Sequence, residues 1–538
     1  MQVLLLNLPN NGSNSGFRGV YYPLGIGYIA AALDRAGHAI TVYDLQYDFV
    51  IGQYGEQRLR EIVQNTHYDV LCAGGVFFNI SSLVNLTEIS KTLRPDAPII
   101  AGGSFCTSTP DVIFSNIPID YMILGEGEAS LVELLAEIDS GIKFPSTPGV
   151  MYRNSSGESA KTTPRPPETD LDRIAFPKRD ILDFKGLYRK YFSIPNPMRY
   201  CAFMIASRGC VFSCTFCEPT FGKTIRVRSP ENILEEIQYL QIDYDAKYIR
   251  FHDELILGGT KKNIRNFCEA VLRTKDKFFW QGTTNANMVD YDTLKLMKRA
   301  NCFALSFGVE SGSPTILKEM KKRNDLDHLK KVVKWCNDLG IMVSFSHISG
   351  TPSETPETLN ETREFLLDLN KHYWRIPTEI NFLVPIPGSE LYDVAKARGL
   401  ITSSDFEYIK QMQAMNRYSK PLNLTSMDHM EHVSLLDDIN NEVRTDYFRK
   451  HPRQRIRELL RLHGCSFKAL AQNFHLRDLK PAFQSICWSL SKGQDNNRLG
   501  RILQRACFGK YYTMNTDVTK TSSSKNDQPM SMIGMNQF

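Results

Sequence analysis

Two series of short apolar runs alternating with helix-spaced segments constrain this chain more than any other feature. In the first series, runs at residues 3–8, 39–43, 69–73, 98–101 and 121–124 read as buried strands. Residues 24–36, 56–65, 83–93 and 129–138 carry apolar positions at helical spacing between them. Such alternation predicts a doubly wound parallel sheet, whose ligands sit at the carboxyl ends of the strands. Glycines stand at those ends: Gly74 and Gly75, Gly102 and Gly103, Gly125 and Gly127. Backbone can approach a large ligand closely there. Residues 144–177 turn to Pro, Ser, Thr and charge, which reads as a linker with a short hairpin near 149–153. A second series then begins. Its expected strands are 201–207, 248–251, 279–283, 303–307, 342–347 and 380–384, with helices at 233–241, 264–272, 291–298, 326–339 and 355–369. Six such units fall short of an eight-stranded barrel and predict a partial (β/α)6 barrel. The expected organisation is α/β: a sheet domain at 1–143, a linker at 144–195, a barrel at 196–395, a mainly helical region at 396–510 and a flexible tail at 511–538.

With 42% hydrophobic and 23% charged residues in 538, global disorder is excluded. No run reaches the ~18 apolar residues of a membrane span, and the N-terminal run lacks a basic flank, so a cytoplasmic protein is expected. In that reducing compartment the 12 cysteines are not a disulfide framework. Charge is uneven. Between Arg449 and Lys510 stand 14 Lys/Arg against three acids, or +11, while the whole chain carries only +5. The basic segment reads as an amphipathic helical layer with a solvated face, or as a surface that attracts an anionic or carrier-linked substrate or an acidic electron donor.

One cysteine spacing carries chemistry. Arg208-Gly-Cys-Val-Phe-Ser-Cys-Thr-Phe-Cys places Cys210, Cys214 and Cys217 on one loop directly after an expected strand. Three thiolates can hold three irons of a 4Fe–4S cluster and leave the fourth open. A structural zinc needs a fourth ligand, and no candidate lies near: Cys201 is on a strand upstream and His252 is far downstream.

This loop closely resembles that of the radical S-adenosylmethionine enzymes, with Phe216 at the aromatic position. The resemblance implies a 4Fe–4S cluster whose open iron binds S-adenosylmethionine and cleaves it to a 5′-deoxyadenosyl radical. It extends over about residues 200–395. Phe251-His-Asp-Glu-Leu resembles the second-strand segment that meets the methionine amine, which makes Asp253 a catalytic candidate and Glu254 a cofactor contact. Gly308-Val-Glu-Ser-Gly-Ser resembles the fourth-strand segment, with Glu310 as a second catalytic candidate and Ser311 near the cofactor. His347-Ile-Ser-Gly-Thr-Pro resembles the segment near adenine, and Arg226 is a further cofactor candidate. A solvated or core role is the alternative for each of these polar residues.

The first domain resembles the cobalamin-binding, Rossmann-like domain of one subgroup of that family. Tyr22-Pro-Leu-Gly-Ile-Gly-Tyr, Ala101-Gly-Gly-Ser and Leu124-Gly-Glu-Gly-Glu carry this likeness and add Ser104 and Glu126 to the glycines as cofactor contacts. The D-x-H-x-x-G motif that ligates cobalt elsewhere is absent, so the resemblance makes Phe77 or Phe78 of the Gly75-Val-Phe-Phe-Asn loop the candidate shield of the cobalt, with an ordinary core role as the alternative. The resemblance implies a radical C-methyltransferase: cobalamin delivers a methyl group to a substrate carbon from which the adenosyl radical has taken hydrogen. Expected partners are a small-molecule substrate, anionic or carrier-linked, and a flavodoxin or ferredoxin-type electron donor. Radical oxidation, cyclisation or elimination without methyl transfer is the rival chemistry. An RNA-modifying or RNA-binding protein is the rival of another class, but the basic segment shows no RNP-like aromatics, and nucleic acid is not the expected partner.

Overall fold

The structure is a computed structural model that describes residues 1–9, 22–182, 201–372, 379–412, 415 and 422–454. The chain divides into two compact units, 1–193 with 198–447 and 194–197 with 448–538. The sheet, the barrel and the site below belong to the first. Residues 448–454 are the described part of the second, and the rest of the basic segment and the tail lie outside the described residues.

The first sheet contains β1 (Gln2–Asn7), β2 (Ala39–Asp44), β3 (Val70–Gly75), β4 (Ile99–Gly103), β5 (Tyr121–Ile123), β6 (Val150–Arg153) and β7 (Ser159–Lys161), in the order β2-β1-β3-β4-β5-β6-β7. Strands β1 to β5 are parallel. The continuous buried run in β1 reflects helices on both faces of such a sheet. In the order 2-1-3-4-5 the crossover direction reverses between β1 and β3, which opens a crevice at their carboxyl ends. The expected linker contributes to this sheet. Its hairpin β6–β7 adds antiparallel to β5, so the sheet runs to Lys161 rather than ending at 143.

The second sheet contains β8 (Cys201–Met204), β11 (Tyr248–Phe251), β12 (Phe279–Thr284), β13 (Cys302–Glu310), β14 (Met342–Ser349) and β15 (Ile380–Phe382), all parallel and paired in chain order. The expected strand 201–207 breaks after Met204. Asp253 captures the Ala206 amide at 2.8 Å and the Ser207 hydroxyl at 2.6 Å, diverting the chain into a short antiparallel pair of β9 (Ser207–Arg208) and β10 (Arg226–Val227). Helix starts carry side-chain caps: Ser229, Thr260, Asp290, Asp325, Thr355 and Ser389 each accept a first-turn amide.

Alternation along the strands separates two environments. Ile249, Phe251, Trp280, Leu305, Phe307, Val343 and Phe345 are buried together with helix residues such as Phe267, and each contributes about 1.5–3 kcal/mol. The intervening residues Arg250, Gln281, Ser306 and Ser344 line the lumen half-buried, and His252, Thr283 and Ser346 are open to it. The linker end is anchored by charge. Fully buried Glu236 accepts from Arg179 at 3.0 Å and from Arg228 at 2.5 Å, and Arg179 also donates to the Phe203 carbonyl. Glu236→Gln leaves two buried guanidinium groups short of a counter-charge and should cost about 3–5 kcal/mol, read as a lower denaturant midpoint at unchanged slope.

Candidate active site

The cysteine loop has the shape it has because Gly209 adopts φ +96°, where a Cβ would lie 2.2 Å from the Thr224 carbonyl oxygen. Only glycine fits there. The Cys210 amide donates to the Gly222 carbonyl at 3.0 Å and the Cys217 amide to the Cys214 carbonyl at 3.1 Å. Thr215 fastens the loop to the barrel, donating to Met320 and accepting from Leu391. Cys210 and Cys214 are half-buried and Cys217 is exposed, whereas Cys72, Cys106, Cys201, Cys268, Cys302 and Cys336 are buried. Partial burial, followed by the neighbouring thiols Cys214 and Cys210, pushes the Cys217 thiol up to about 12. Thiols whose ionisation is opposed by burial and, at Cys214 and Cys217, by neighbouring thiols fit a strongly cationic centre. Among the described residues no three ligand-type side chains converge on one ion. A 4Fe–4S cube takes each thiolate on a separate iron, so this donor set fits the cluster and not a closed zinc site.

Polar groups gather beside the loop. Glu310 ends β13 at φ +69°, a left-handed conformation that costs a non-glycine residue about 1–3 kcal/mol. A register shift between Gly308 and Glu310 re-aims its side chain. The buried carboxylate accepts from Lys322 at 3.0 Å and from Ser346 at 3.1 Å. Gly308 leaves room for this pair, since a Cβ there would lie 2.6 Å from Glu310 Oε1 and 2.7 Å from Lys322 Nζ. Lys322 Nζ is also 6.0 Å from the centre of the Phe216 ring, and its charge acts on all three thiols. Glu254 lies against the Phe221, Thr220 and Gly209 amides, and its Oε2 is buried without a hydrogen-bond partner. A buried, unbonded carboxylate oxygen beside the cluster loop suits the ammonium of S-adenosylmethionine.

Four of the expected contacts have other work. Asp253 is saturated by the Ala206 and Leu257 amides and the Ser207 hydroxyl, so it shapes the strand end and presents no free oxygen to a reactant. Burial pushes its carboxyl up to about 6. Between the ordinary carboxylate range and pH 6 the folded protein therefore binds more protons than the unfolded chain, and stability falls as pH rises through that window. Asp253→Asn should lose this slope relative to wild type and cost about 1–3 kcal/mol at pH 7 by facing donors with a donor, as melts across pH 4–7 will read. Ser311 is buried against Thr362 and accepts from the Ser313 amide. His347 is buried with Phe345 on the helix-covered face of β14, away from the lumen. Arg226 donates to Glu126 at 2.5 Å and to the Glu168 carbonyl at 2.8 Å.

At the carboxyl ends of the first sheet lies a cavity of about 420 Å³ lined by Gly25, Gly74, Gly75, Gly102, Gly103, Ser104, Gly125, Glu126 and Gly127 among others. Gly103 adopts φ +105°, and a Cβ on it would lie 2.2 Å from the Gly75 carbonyl oxygen. This glycine cradle, roofed by Ile26, Ile29 and Tyr28, fits the nucleotide tail of a cobalamin. Phe77 is buried in the core beneath and Phe78 packs partly against that core, while Val76 is 47% exposed at the cavity mouth. The apolar side chain offered to a corrin face on this loop is thus Val76.

Arg208, Thr220 and Phe221 of the barrel line the same cavity. Arg208, only 3% exposed, donates to Glu126 at 2.7 Å and to Glu128 at 2.6 Å and lies between the Tyr28 and Phe221 rings. It is two residues before Cys210. Glu126 therefore pairs with the barrel arginines as well as lining the cavity. Neither this pairing nor Lys322 was visible in sequence; Lys322 stands in Met320-Lys-Lys-Arg-Asn, which reads as a solvated charge run.

A three-thiolate cluster loop on a partial parallel barrel, joined to a glycine-lined cavity on a doubly wound sheet, defines a radical S-adenosylmethionine enzyme with a corrinoid domain. The chain carries the two domains of a cobalamin-binding radical S-adenosylmethionine enzyme: the radical SAM superfamily matches residues 204–366 and the B12 binding domain matches residues 15–135. Its cofactors are the 4Fe–4S cluster, S-adenosylmethionine and cobalamin. A protein of Pyrococcus horikoshii named an uncharacterized methyltransferase is 27% identical over 414 residues, spanning 76% of this chain and 85% of that protein. The anaerobic magnesium-protoporphyrin IX monomethyl ester cyclase of Rubrivivax gelatinosus is 26% identical, spanning 84% of this chain and 78% of that one. In fold, the chain is similar to the radical S-adenosylmethionine methyltransferase TsrM from Kitasatospora setae, solved with cobalamin and a 4Fe–4S cluster, at a TM-score of 0.59 and 18% identity over 74% of this chain and 75% of that one. It is also similar to OxsB, a cobalamin-dependent S-adenosylmethionine radical enzyme, at a TM-score of 0.58 and 17% identity, covering 94% of this chain and 74% of that one. Among the described residues no helix is long and apolar enough to cross a membrane.

Proposed function

We propose that this protein is a radical C-methyltransferase acting on a small molecule. The observation that carries the reading is Arg208, which ties the cluster loop to the wall of the corrinoid cavity and so holds both cofactor sites in one compact unit. When bound, the cluster with S-adenosylmethionine supplies a 5′-deoxyadenosyl radical and cobalamin supplies the methyl group. The chain's own residues bind and orient. Cys210, Cys214 and Cys217 would hold the cluster. Glu254 Oε2 and the Glu310 carboxylate would receive the methionine amine, with Lys322 beside them for its carboxylate. Gly74, Gly75, Gly102 and Gly103 would let the corrinoid tail lie against backbone, and Val76 would exclude water from the corrin face. The electron would come from a flavodoxin or ferredoxin-type donor in the cytoplasm.

The test is label transfer. With S-adenosylmethionine carrying a trideuterated methyl group, anaerobic turnover across a substrate panel should give one labelled product, one 5′-deoxyadenosine and one S-adenosylhomocysteine per turnover. Turnover of a substrate to an unlabelled, oxidised or cyclised product would overturn methyl transfer in favour of the chemistry named for the cyclase relative.

A further inference from the structure

We propose that Arg250 is a specificity residue that reads an anionic group, a carboxylate or a phosphoryl, on the substrate held in the barrel lumen. This rests on the lumen being the substrate site of the reading above. Arg250 is in β11, in register with Phe203 of β8 and Gln281 of β12. Its neighbours along the strand, Ile249 and Phe251, are in the buried layer under the helices, so alternation puts Arg250 on the lumen side. The guanidinium is half-buried and 5.9 Å from the centre of the Phe203 ring. Among the described residues no carboxylate pairs with it and none of its N–H groups is spent on a hydrogen bond.

Among the described residues, no carboxylate of the lumen pairs with Arg250. In the layers at and above Arg250, the described residues that share its side include Gln281, Ala304, Met342, His252, Thr283, Ser306, Ser344 and Ser346, none of them acidic. Desolvation within the lumen, and then the Arg250 charge, hold the His252 imidazole below its usual range, so it leaves the positive charge to Arg250. Of the acids at the mouth of the lumen, Glu310 reaches this wall through Ser346 and is taken by Lys322, and Glu254 lies against the amides of the cluster loop. Below Arg250, Tyr248 stacks on Phe279 at 5.4 Å and meets Phe303 edge-on at 5.6 Å, an aromatic floor. A planar five-donor fork left unpaired above aromatic rings and beside hydroxyl and amide groups is the arrangement that binds a carboxylate or phosphoryl two-pronged, on a molecule whose body is apolar. The cation already beside the thiols is Lys322. Arg250 belongs to a deeper layer, at the middle of β11, and is free for a second anion.

The test needs no turnover, so it stands or falls apart from methyl transfer. Full-length protein loaded with cluster and cobalamin, without reductant, is titrated with benzoate, phenylphosphonate and neutral benzamide and followed by saturation-transfer NMR. Wild type should bind the two anions at least tenfold more tightly than benzamide, and the better of the two separates a carboxylate from a phosphoryl substrate. Arg250→Gln should lose that preference, Arg250→Lys should keep part of it, and exposed Arg299→Gln should keep all of it. Equal binding of benzoate and benzamide by wild type, or an anion preference that survives in Arg250→Gln, would overturn the proposal. If Arg250→Gln fails to fold, the Arg250→Lys titration decides: an undiminished preference counts against the two-pronged contact.

Discussion

Anaerobic reconstitution of Cys214→Ala should yield a folded protein that retains well under one iron per chain and cleaves S-adenosylmethionine at least ~10³-fold more slowly than wild type. Each thiolate of the loop would hold its own iron, so losing one would leave the cube open on two corners. Folding should survive because the loop is held by backbone: Gly209 in its positive-φ turn, the Cys210 amide on Gly222, and Thr215 bonded to Met320 and Leu391. The matched control is Cys336→Ala. That thiol is buried in the barrel core, and its removal should cost about 1 kcal/mol of stability and no iron. Iron analysis beside thermal melts separates the two outcomes. Normal iron in Cys214→Ala would mean that the cluster is held by other residues.

The second large effect is on the corrinoid. Gly25 stands in the first turn of helix Leu24–Arg35, lines the cavity, and has open space where a Cβ would be. Gly25→Leu should therefore plug the cavity without strain. Cobalamin affinity is expected to fall at least 100-fold, about 2.7 kcal/mol, while the cofactor-free protein melts no lower, since leucine is the better helix former by about 0.5–1 kcal/mol. Gly27, two residues on, behaves oppositely. A Cβ there would lie 2.4 Å from the Tyr22 hydroxyl and 2.9 Å from Pro177, so Gly27→Ala should destabilise the fold itself. Spectrophotometric titration with hydroxocobalamin beside melts of the cofactor-free protein distinguishes a lost ligand site from a lost fold. Unchanged affinity in Gly25→Leu would place the corrinoid elsewhere.

Both series of alternating strands were legible because each strand must be apolar at the positions its layer buries. Expected and observed spans such as β11 and the helix Leu326–Leu339 coincide. The hairpin β6–β7 was only half legible, because polar edge strands exposed on one side look like a linker. The cysteine loop stood out because its spacing lies within one short segment and owes nothing to tertiary packing. Lys322 and Arg208 did not stand out. Their partners Glu310 and Glu126 lie 12 and 82 residues away, and a charge next to other charges reads as solvated until those partners are known. Phe77 was open to two readings, and the core one holds. A large aromatic on a ligand loop suggests a shield, yet burial of its area pulls it into the core and turns the smaller Val76 outward. Asp253 misled because a strand-end carboxylate serves as well to bend a chain as to meet a reactant.

Arg208 joins the cluster loop to the wall of the glycine-lined cavity within one compact unit. The most direct test of two cofactor sites so joined is the metal and corrinoid content of one anaerobically reconstituted, desalted sample of the full chain. About four irons and one cobalamin per chain are expected, with the iron lost in Cys214→Ala and the cobalamin lost in Gly25→Leu. A single tightly held zinc in place of iron, or a chain that takes up iron but no cobalamin, would contradict the two-cofactor site.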